Sequence, residues 1–312
     1  MALSSLQALL SSNVMNTAIL SHIQKNPETI KNLNPLILEH IKLIYKYREC
    51  SDEPFNLSKI FRQTNHSLQM VHPSPRESLT HILTDLIEIT KKSDTVLSEL
   101  IEKICHGKYK QTTRCGICRN DVIDYLDFLV VDLPVSGLLS GTKPQPIPTL
   151  KKGKTKGKED PNLDLSDCFE QFSRFKMSGK EEKWACPVCN IEVKSFKKLE
   201  ITVIPSVIIL SFDRFKGDVI DLTPIRMHPQ IMLEDKKMEL IATINHRIGK
   251  NEMDDIESIN HRYTTCVNHD DIWYKIDGTS TESYLWPTDS GVLNNPSICV
   301  AIYQEQYTLK NV

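Results

Sequence analysis

Four cysteines carry the densest chemical signal in this sequence: Cys115-Gly116-Ile117-Cys118 and Cys186-Pro187-Val188-Cys189. A C-x-x-C turn brings two sulfurs within reach of one ion, and two such turns supply the four thiolates of a closed tetrahedral Zn2+ site. Such a site has no open position for water, so the expected metal is structural. The stretch between the two turns is too long for a compact ribbon, so the ion ties together distant parts of the chain. The alternative is two independent thiol pairs, but no βαβ pattern surrounds either one to suggest a thioredoxin-like site.

Composition narrows the class. The chain has 312 residues, a formal net charge of −2 and a pI near 6.6. A nucleic-acid binder is usually basic, so no nucleic-acid partner is expected. No apolar run approaches the roughly 18 residues of a membrane span, and no basic n-region marks a secretory signal at the N-terminus. Nine cysteines, an odd number, do not make a secreted disulfide framework. A cytoplasmic or nuclear protein is expected.

The elements that must position the cysteines follow from periodicity. Leu3, Leu6, Leu10, Val14 and Ile19 recur at near-helical spacing, and Ile37, Ile41, Ile44 and Tyr45 repeat the pattern. Ser74-Pro75-Arg76-Glu77 reads as a capping box with proline at the first helical position, followed by the apolar stripe Leu79, Ile82, Leu83, Leu86 and Ile87. Ile123 to Leu133 reads as one buried strand. The Lys- and Pro-rich stretch 141–160 reads as a mobile insertion, a plain solvated loop, with a nuclear-localisation or acidic-partner role for its lysine run as the alternative. A short amphipathic helix is expected from Leu165 to Phe175. Strands are expected at 198–204, 206–212, 239–246, 263–267, 273–276 and 298–303. Val207-Ile208-Ile209-Leu210 is apolar on both faces and predicts a central strand. Helices first and then an antiparallel sheet with a cysteine-tied excursion give an α+β class.

The order of these blocks resembles the ubiquitin-specific protease family of cysteine peptidases. Leu165-Ser166-Asp167-Cys168-Phe169, the second knuckle with Asn190, and Phe196-Lys197-Lys198-Leu199 are similar to its second finger knuckle and exit strand. Ile204-Pro205-Ser206 through Arg214-Phe215 is similar to its "lP-x-v-L-i-l-h-l-k-R-F" strand. Leu240 to His246 resembles the strand before the catalytic histidine. Trp273-Tyr274-Lys275-Ile276-Asp277 and Cys299 to Tyr303 resemble its last two landmarks. The resemblance implies a papain-like hand in one domain, 1–312. Residues 1–104 would be a helical thumb, 105–135 and 162–200 zinc-ribbon fingers, and 201–312 an antiparallel palm. It also implies ubiquitin or a ubiquitin-like modifier as partner.

The family's chemistry needs a thiolate at a helix N-terminus, a histidine base and an orienting Asp or Asn. Ser4-Ser5-Leu6-Gln7-Ala8-Leu9 matches the downstream half of the nucleophile block, which sets the cysteine one position before Met1. Aligning Tyr263-Thr264 with "G-H-Y-T" puts Arg262 at the base position and His261 one residue early. Such a shift turns a strand residue to the other face unless a bulge restores it. Asp277 matches the orienting residue. His72 to Leu79 resembles the modifier-tail motif "Q-Q-D-A-x-E-F-L", with Ser74 where Asp is usual and Glu77 as the candidate tail contact. Three expectations follow: a ubiquitin-binding homologue without a complete triad, an active deubiquitinase whose cysteine-bearing N-terminus lies outside this sequence, or a zinc-stabilised interaction module unrelated to ubiquitin.

Overall fold

The computed structural model describes Ser5, residues 8–33, 38, 41–42, 44, 74–135, 163–179, 182–216, 219–249, 260–269, 272–277, 280–285, 293 and 297–306. The predicted insertion at 141–160 lies outside these residues. The thumb contains α1 (Asn13–Lys25), α2 (Pro75–Lys91) and α3 (Thr95–Cys105). The single helix expected across Leu3 to Ile19 is interrupted. Ser5 and Ala8–Leu10 are helical, Ser11 turns, and Ser12 starts α1 by accepting a hydrogen bond from the Met15 N–H at 3.2 Å. A serine at this position satisfies a donor that the helix cannot, so the chain restarts there instead of continuing. The α2 cap is as expected: Ser74 Oγ accepts from the Glu77 N–H at 3.2 Å, with Pro75 following. Helix α3 lies in the stretch expected to be a helical thumb, although no apolar stripe marked it as a separate helix. Its cap, Asp94, accepts from the Leu97 N–H at 2.9 Å and meets His22 Nε2 of α1 at 2.7 Å, so one carboxylate starts one helix and fastens another.

Two sheets follow. The finger sheet has β1 (Gly107–Cys115), β2 (Asp121–Phe128), β4 (Lys176–Met177) and β5 (Ser195–Val203) in the order β2-β1-β5-β4, all antiparallel. The palm sheet contains β3 (Val130–Pro134), β6 (Val207–Asp213), β7 (Gln230–Leu233), β8 (Lys236–Gly249), β9 (Asn260–His269), β10 (Ile272–Asp277), β11 (Ser280–Leu285) and β12 (Ile298–Glu305). Its order is β11-β10-β9-β8-β12-β6-β3, with β7 beside β8. All its pairs are antiparallel except β3 with β6. The strand expected at Ile123 to Leu133 is therefore two strands in two sheets. Asp121–Phe128 is mostly exposed on the outer edge of the fingers, while Val130–Pro134, expected with the fingers, lies in the palm. Helix α4 (Leu165–Phe172) carries a capping box between Asp164 and Asp167.

The palm is buried on both faces. Val207, Ile209, Ile244, Val267 and Ile276 join Leu79, Leu83 and Leu97 of the thumb in one core. Ile208, Leu210, Phe212, Trp273 and Tyr303 join Leu165, Cys168 and Phe172 of α4 in the other. Arg214 is 1 % exposed and stitches three segments through carbonyls: Nε donates to Ile298, and Nη1 donates to Asp221 and Thr223 at 2.8 Å each. At the root of the fingers Gly107 lies beneath the Phe128 ring, which stacks on Tyr109 at 4.2 Å. A Cβ on Gly107 would sit 2.1 Å from Phe128 Cζ. Gly107→Val should therefore lower stability by about 1–3 kcal/mol through overpacking, read as a drop in the urea midpoint. Removing the ring with Phe128→Ala should make the two changes less than additive.

Candidate functional site

The fingertip cluster is built from two matched turns. In the first, the Arg119 N–H donates to the Cys115 carbonyl at 3.2 Å and the Cys115 N–H to Asn120 O at 2.9 Å. In the second, the Asn190 N–H donates to Cys186 O at 2.8 Å and the Cys186 N–H to Ile191 O at 3.1 Å. The residue after each C-x-x-C, Arg119 at φ 62° and Asn190 at φ 56°, takes the left-handed conformation that closes the turn. Asparagine tolerates that conformation well and arginine less so, so only the second turn announces it in sequence. Gly116 allows the turns to approach: its N–H donates to Lys194 O at 3.1 Å, and an added Cβ would lie 2.6 Å from that oxygen.

This geometry brings all four sulfurs within 4.8 Å of one another. Cys118 Sγ is 3.7 Å from Cys186 Sγ, and Cys115 Sγ is 3.9 Å from Cys189 Sγ. Four sulfurs at zinc-like bond lengths of ~2.3 Å stand about 3.8 Å apart, so the cluster fits one tetrahedral ion. Cys115 and Cys186 are buried, and Cys118 is exposed at the surface. Burial raises the Cys115 thiol, but N–H donors from Cys118 and Ile117, with the neighbouring thiols, outweigh it and bring it down to about 6. Hydrogen bonding to Cys118, followed by burial and the other thiols, pushes Cys189 up to about 12. Four sulfurs converging on one point are the donor set of a soft cation once their thiols ionise.

The remaining described cysteines lack the surroundings of a nucleophile. Burial drives the thiols of Cys105, Cys168 and Cys299 up to about 12. Cys299 donates to Ile244 O at 3.1 Å, and Cys266 is buried and accepts from Asn245 Nδ2 at 3.4 Å. None of the four sits at a helix N-terminus in an electropositive opening, where thiolates form readily.

The candidate base and its partner lie on adjacent strands. Pairing of β8 with β9 runs unbroken from Ala242↔Val267 through His246↔Tyr263, Arg247↔Arg262 and Ile248↔His261. The β9–β10 ladder reaches Thr265↔Ile276, so one further step sets Asp277 level with Thr264. Strand alternation then puts backbone position 262 on the same side of the sheet as Asp277, and position 261 on the other. No bulge interrupts this register. His246 was not singled out from sequence beyond its strand. It is 5 % exposed, and its ring centroid lies 5.0 Å from that of Tyr263.

The predicted tail segment does meet the N-terminal helical turn: Ser5 Oγ donates to the Pro75 carbonyl at 3.5 Å. Ser74, Pro75 and Arg76 line a cavity of about 500 Å3 between thumb and palm, closed on the other side by Asp132, Asp213 and Cys299. Glu77, the sequence candidate for tail contact, does not line it. Arg76 Nη2 instead pairs with Asp132 Oδ2 at 2.6 Å across the cavity.

Comparisons with known proteins agree with one another. The chain is 26% identical over 140 residues to ubiquitin carboxyl-terminal hydrolase 4 of Eremothecium gossypii, covering 45% of this chain and 14% of that protein. A probable ubiquitin carboxyl-terminal hydrolase of Acanthamoeba polyphaga mimivirus is 22% identical over 250 residues, covering 74% of this chain and 46% of the viral protein. The chain thus spans less than half the length of these relatives. The solved SAGA Ubp8/Sgf11/Sus1/Sgf73 DUB module bound to ubiquitin aldehyde shares the fold, with a TM-score of 0.66 at 15% identity over 97% of this chain and 67% of that one. The family model for ubiquitin carboxyl-terminal hydrolases matches residues 3–290, and with the hand-like fold and its four-cysteine fingertip the chain belongs to that family.

Proposed function

We propose that this chain binds ubiquitin, or a ubiquitin-like modifier, and does not cleave it with the residues it carries. The observation that bears most weight is the unbroken β8–β9 register. It leaves Arg262 at the position in step with Asp277, where a base would have to stand. A guanidinium stays protonated near neutral pH and cannot accept a proton in the reaction. His261 would need a bulge to reach the same side. The high-pKa thiols of Cys105, Cys168 and Cys299 support the same reading, as does the commitment of Cys115, Cys118, Cys186 and Cys189 to one cluster. Residues 1–104 act as thumb, 105–128 with 163–203 as fingers, and the β3–β12 sheet as palm, with the modifier held between them. The relatives named above are hydrolases by name, and the neighbouring DUB module carries ubiquitin aldehyde; both favour ubiquitin as the ligand.

The fingertip ion in this reading is Zn2+. Cys115, Cys118, Cys186 and Cys189 would hold it, and it would supply a crosslink between the two turns, not a reactive water, because four thiolates fill its coordination.

Two measurements test these statements. Titration with ubiquitin should give saturable binding, while ubiquitin ending in a thiol-reactive electrophile should form no covalent adduct; an adduct would mean that a working thiolate is present. Metal analysis should find one zinc per chain. Cys186→Ser should abolish it and lower the melting temperature, whereas Cys168→Ser, outside the cluster, should keep the metal.

A further inference from the structure

Each turn of the fingertip cluster carries one sealed sulfur and one open one. Cys115 is 0 % exposed and Cys186 1 %, whereas Cys118 is exposed and Cys189 half-buried. The sealed sulfurs are also hydrogen-bonded to backbone. The Ile117 and Cys118 N–H groups each donate to Cys115 Sγ at 3.4 Å, and the Cys189 N–H donates to Cys186 Sγ at 3.4 Å. Among the described residues no backbone N–H donates to the sulfur of Cys118 or Cys189. Donors of this kind stabilise a thiolate and so weaken it as a nucleophile. The second cysteine of each turn therefore keeps both its access to solvent and its nucleophilicity. Contacts between the turns join unlike members: Cys118 Sγ lies 3.7 Å from Cys186 Sγ, and Cys189 Sγ 3.9 Å from Cys115 Sγ. The other described cysteines, Cys105, Cys168, Cys266 and Cys299, are buried.

We propose that Cys118 and Cys186 form an oxidant-responsive pair: a hydroperoxide oxidises Cys118, Cys186 closes a disulfide onto it across the two turns, and the metal is expelled. The inference rests on the reading of the cluster as a Zn2+ site. In the metal-bound state all four sulfurs are thiolates. The Cys118 thiolate attacks one peroxide oxygen; an S–O bond forms, the O–O bond breaks and hydroxide leaves, giving a sulfenic acid. The Cys186 thiolate, 3.7 Å away, then attacks that sulfur. An S–S bond forms, the S–O bond breaks and a second hydroxide leaves. Two protons from solvent convert both hydroxides to water, so the two sulfurs lose the two electrons that the peroxide gains. With two of its four ligands gone, the ion has only Cys115 and Cys189 to hold it and dissociates. A second peroxide closes that pair, 3.9 Å apart, in the same way. Pairing across the turns also keeps the crosslink that the metal supplied. The tip has a core of only Cys115, Cys186 and Val193 among the described residues, so a bridge inside one turn would leave the two turns untied.

The test treats the zinc-loaded full chain with hydrogen peroxide, follows zinc release with a chromogenic chelator, and maps the cysteines by mass spectrometry. Trypsin places each turn in its own peptide, 115–119 and 184–194, so a bridge between the turns joins the two peptides and a bridge within a turn does not. The expected result is loss of the zinc, with the peptides joined through Cys118 and Cys186, and reversal of both effects by dithiothreitol with added Zn2+. Dimedone, which traps sulfenic acids, should label Cys118 and block the bridge. Cys168→Ser, which removes a buried thiol outside the cluster, should release zinc at the wild-type rate. Three results would each overturn the inference while leaving the zinc reading in place: zinc retained under peroxide, dimedone on Cys115 or Cys186 instead of Cys118, or two separate peptides each bridged within its own turn. An untreated chain that takes up no zinc would remove the zinc reading instead, and the peptide map would still decide the pairing across the turns.

Discussion

The architecture depends on one strand that is apolar on both sides. Val207, Ile208, Ile209 and Leu210 are all buried, and alternation sends odd and even positions to opposite faces of the palm. A sheet with such a centre must be covered twice. The thumb helices cover the face of Val207 and Ile209, and α4 with the finger root covers that of Ile208 and Leu210. Strand β5 enters β6 through Ile204-Pro205-Ser206, so the direction in which the fingers project is set by the same segment. The thumb–palm cavity lies where this cover ends, between the start of α2 and the ends of β3 and β6.

The fingers rest on a different kind of stability. Their tip has a core of only Cys115, Cys186 and Val193, with Trp184 and Cys189 packed against it, among the described residues. Strand β2 leaves Ile123, Tyr125 and Leu126 exposed. Its cross-strand ion pairs, such as the two-pronged Arg114–Asp121 contact, are on open surface and contribute little. Apolar burial can hold thumb and palm together, whereas so small a tip would gain most from an ion held by its four cysteines. Binding of an ion by four thiolates can contribute about 10 kcal/mol or more, which exceeds what a few half-buried side chains supply. The left-handed turns at Arg119 and Asn190 belong to the same solution, since they aim four sulfurs at one point.

Much of this was legible in the sequence because the signals were local and redundant. Paired C-x-x-C turns, the Ser74-Pro75 helix start and the continuous apolar run at Val207 each state their own geometry. The misreadings come from places where a local signal was weak or where tertiary context decided. Ser11-Ser12-Asn13 breaks the first helix because a cap competes with continuation, and apolar spacing on both sides hid it. Ile123 to Leu133 looked like one strand because nothing in its composition marks Leu129 as the point where the chain leaves one sheet for another. The parallel pairing of β3 with β6 is likewise invisible locally. At the site, the cysteines were found by spacing.

Holding a modifier and cutting it place different demands on the same frame. A grip spreads its energy over many contacts and survives the exchange of individual side chains. Cleavage depends on a few atoms with fixed protonation states, and a histidine that can give up its proton is not interchangeable with an arginine that cannot. The register of β8, β9 and β10 matters here more than the identity of any one neighbour. Because no bulge is present, the histidine at 261 and the aspartate at 277 fall out of step by one residue. A one-residue offset leaves strand pairing, burial of Tyr263 and Val267, and both cores intact. Pairing of strands and filling of the cores thus place no demand on which residue stands at 261 or 262, whereas proton transfer would.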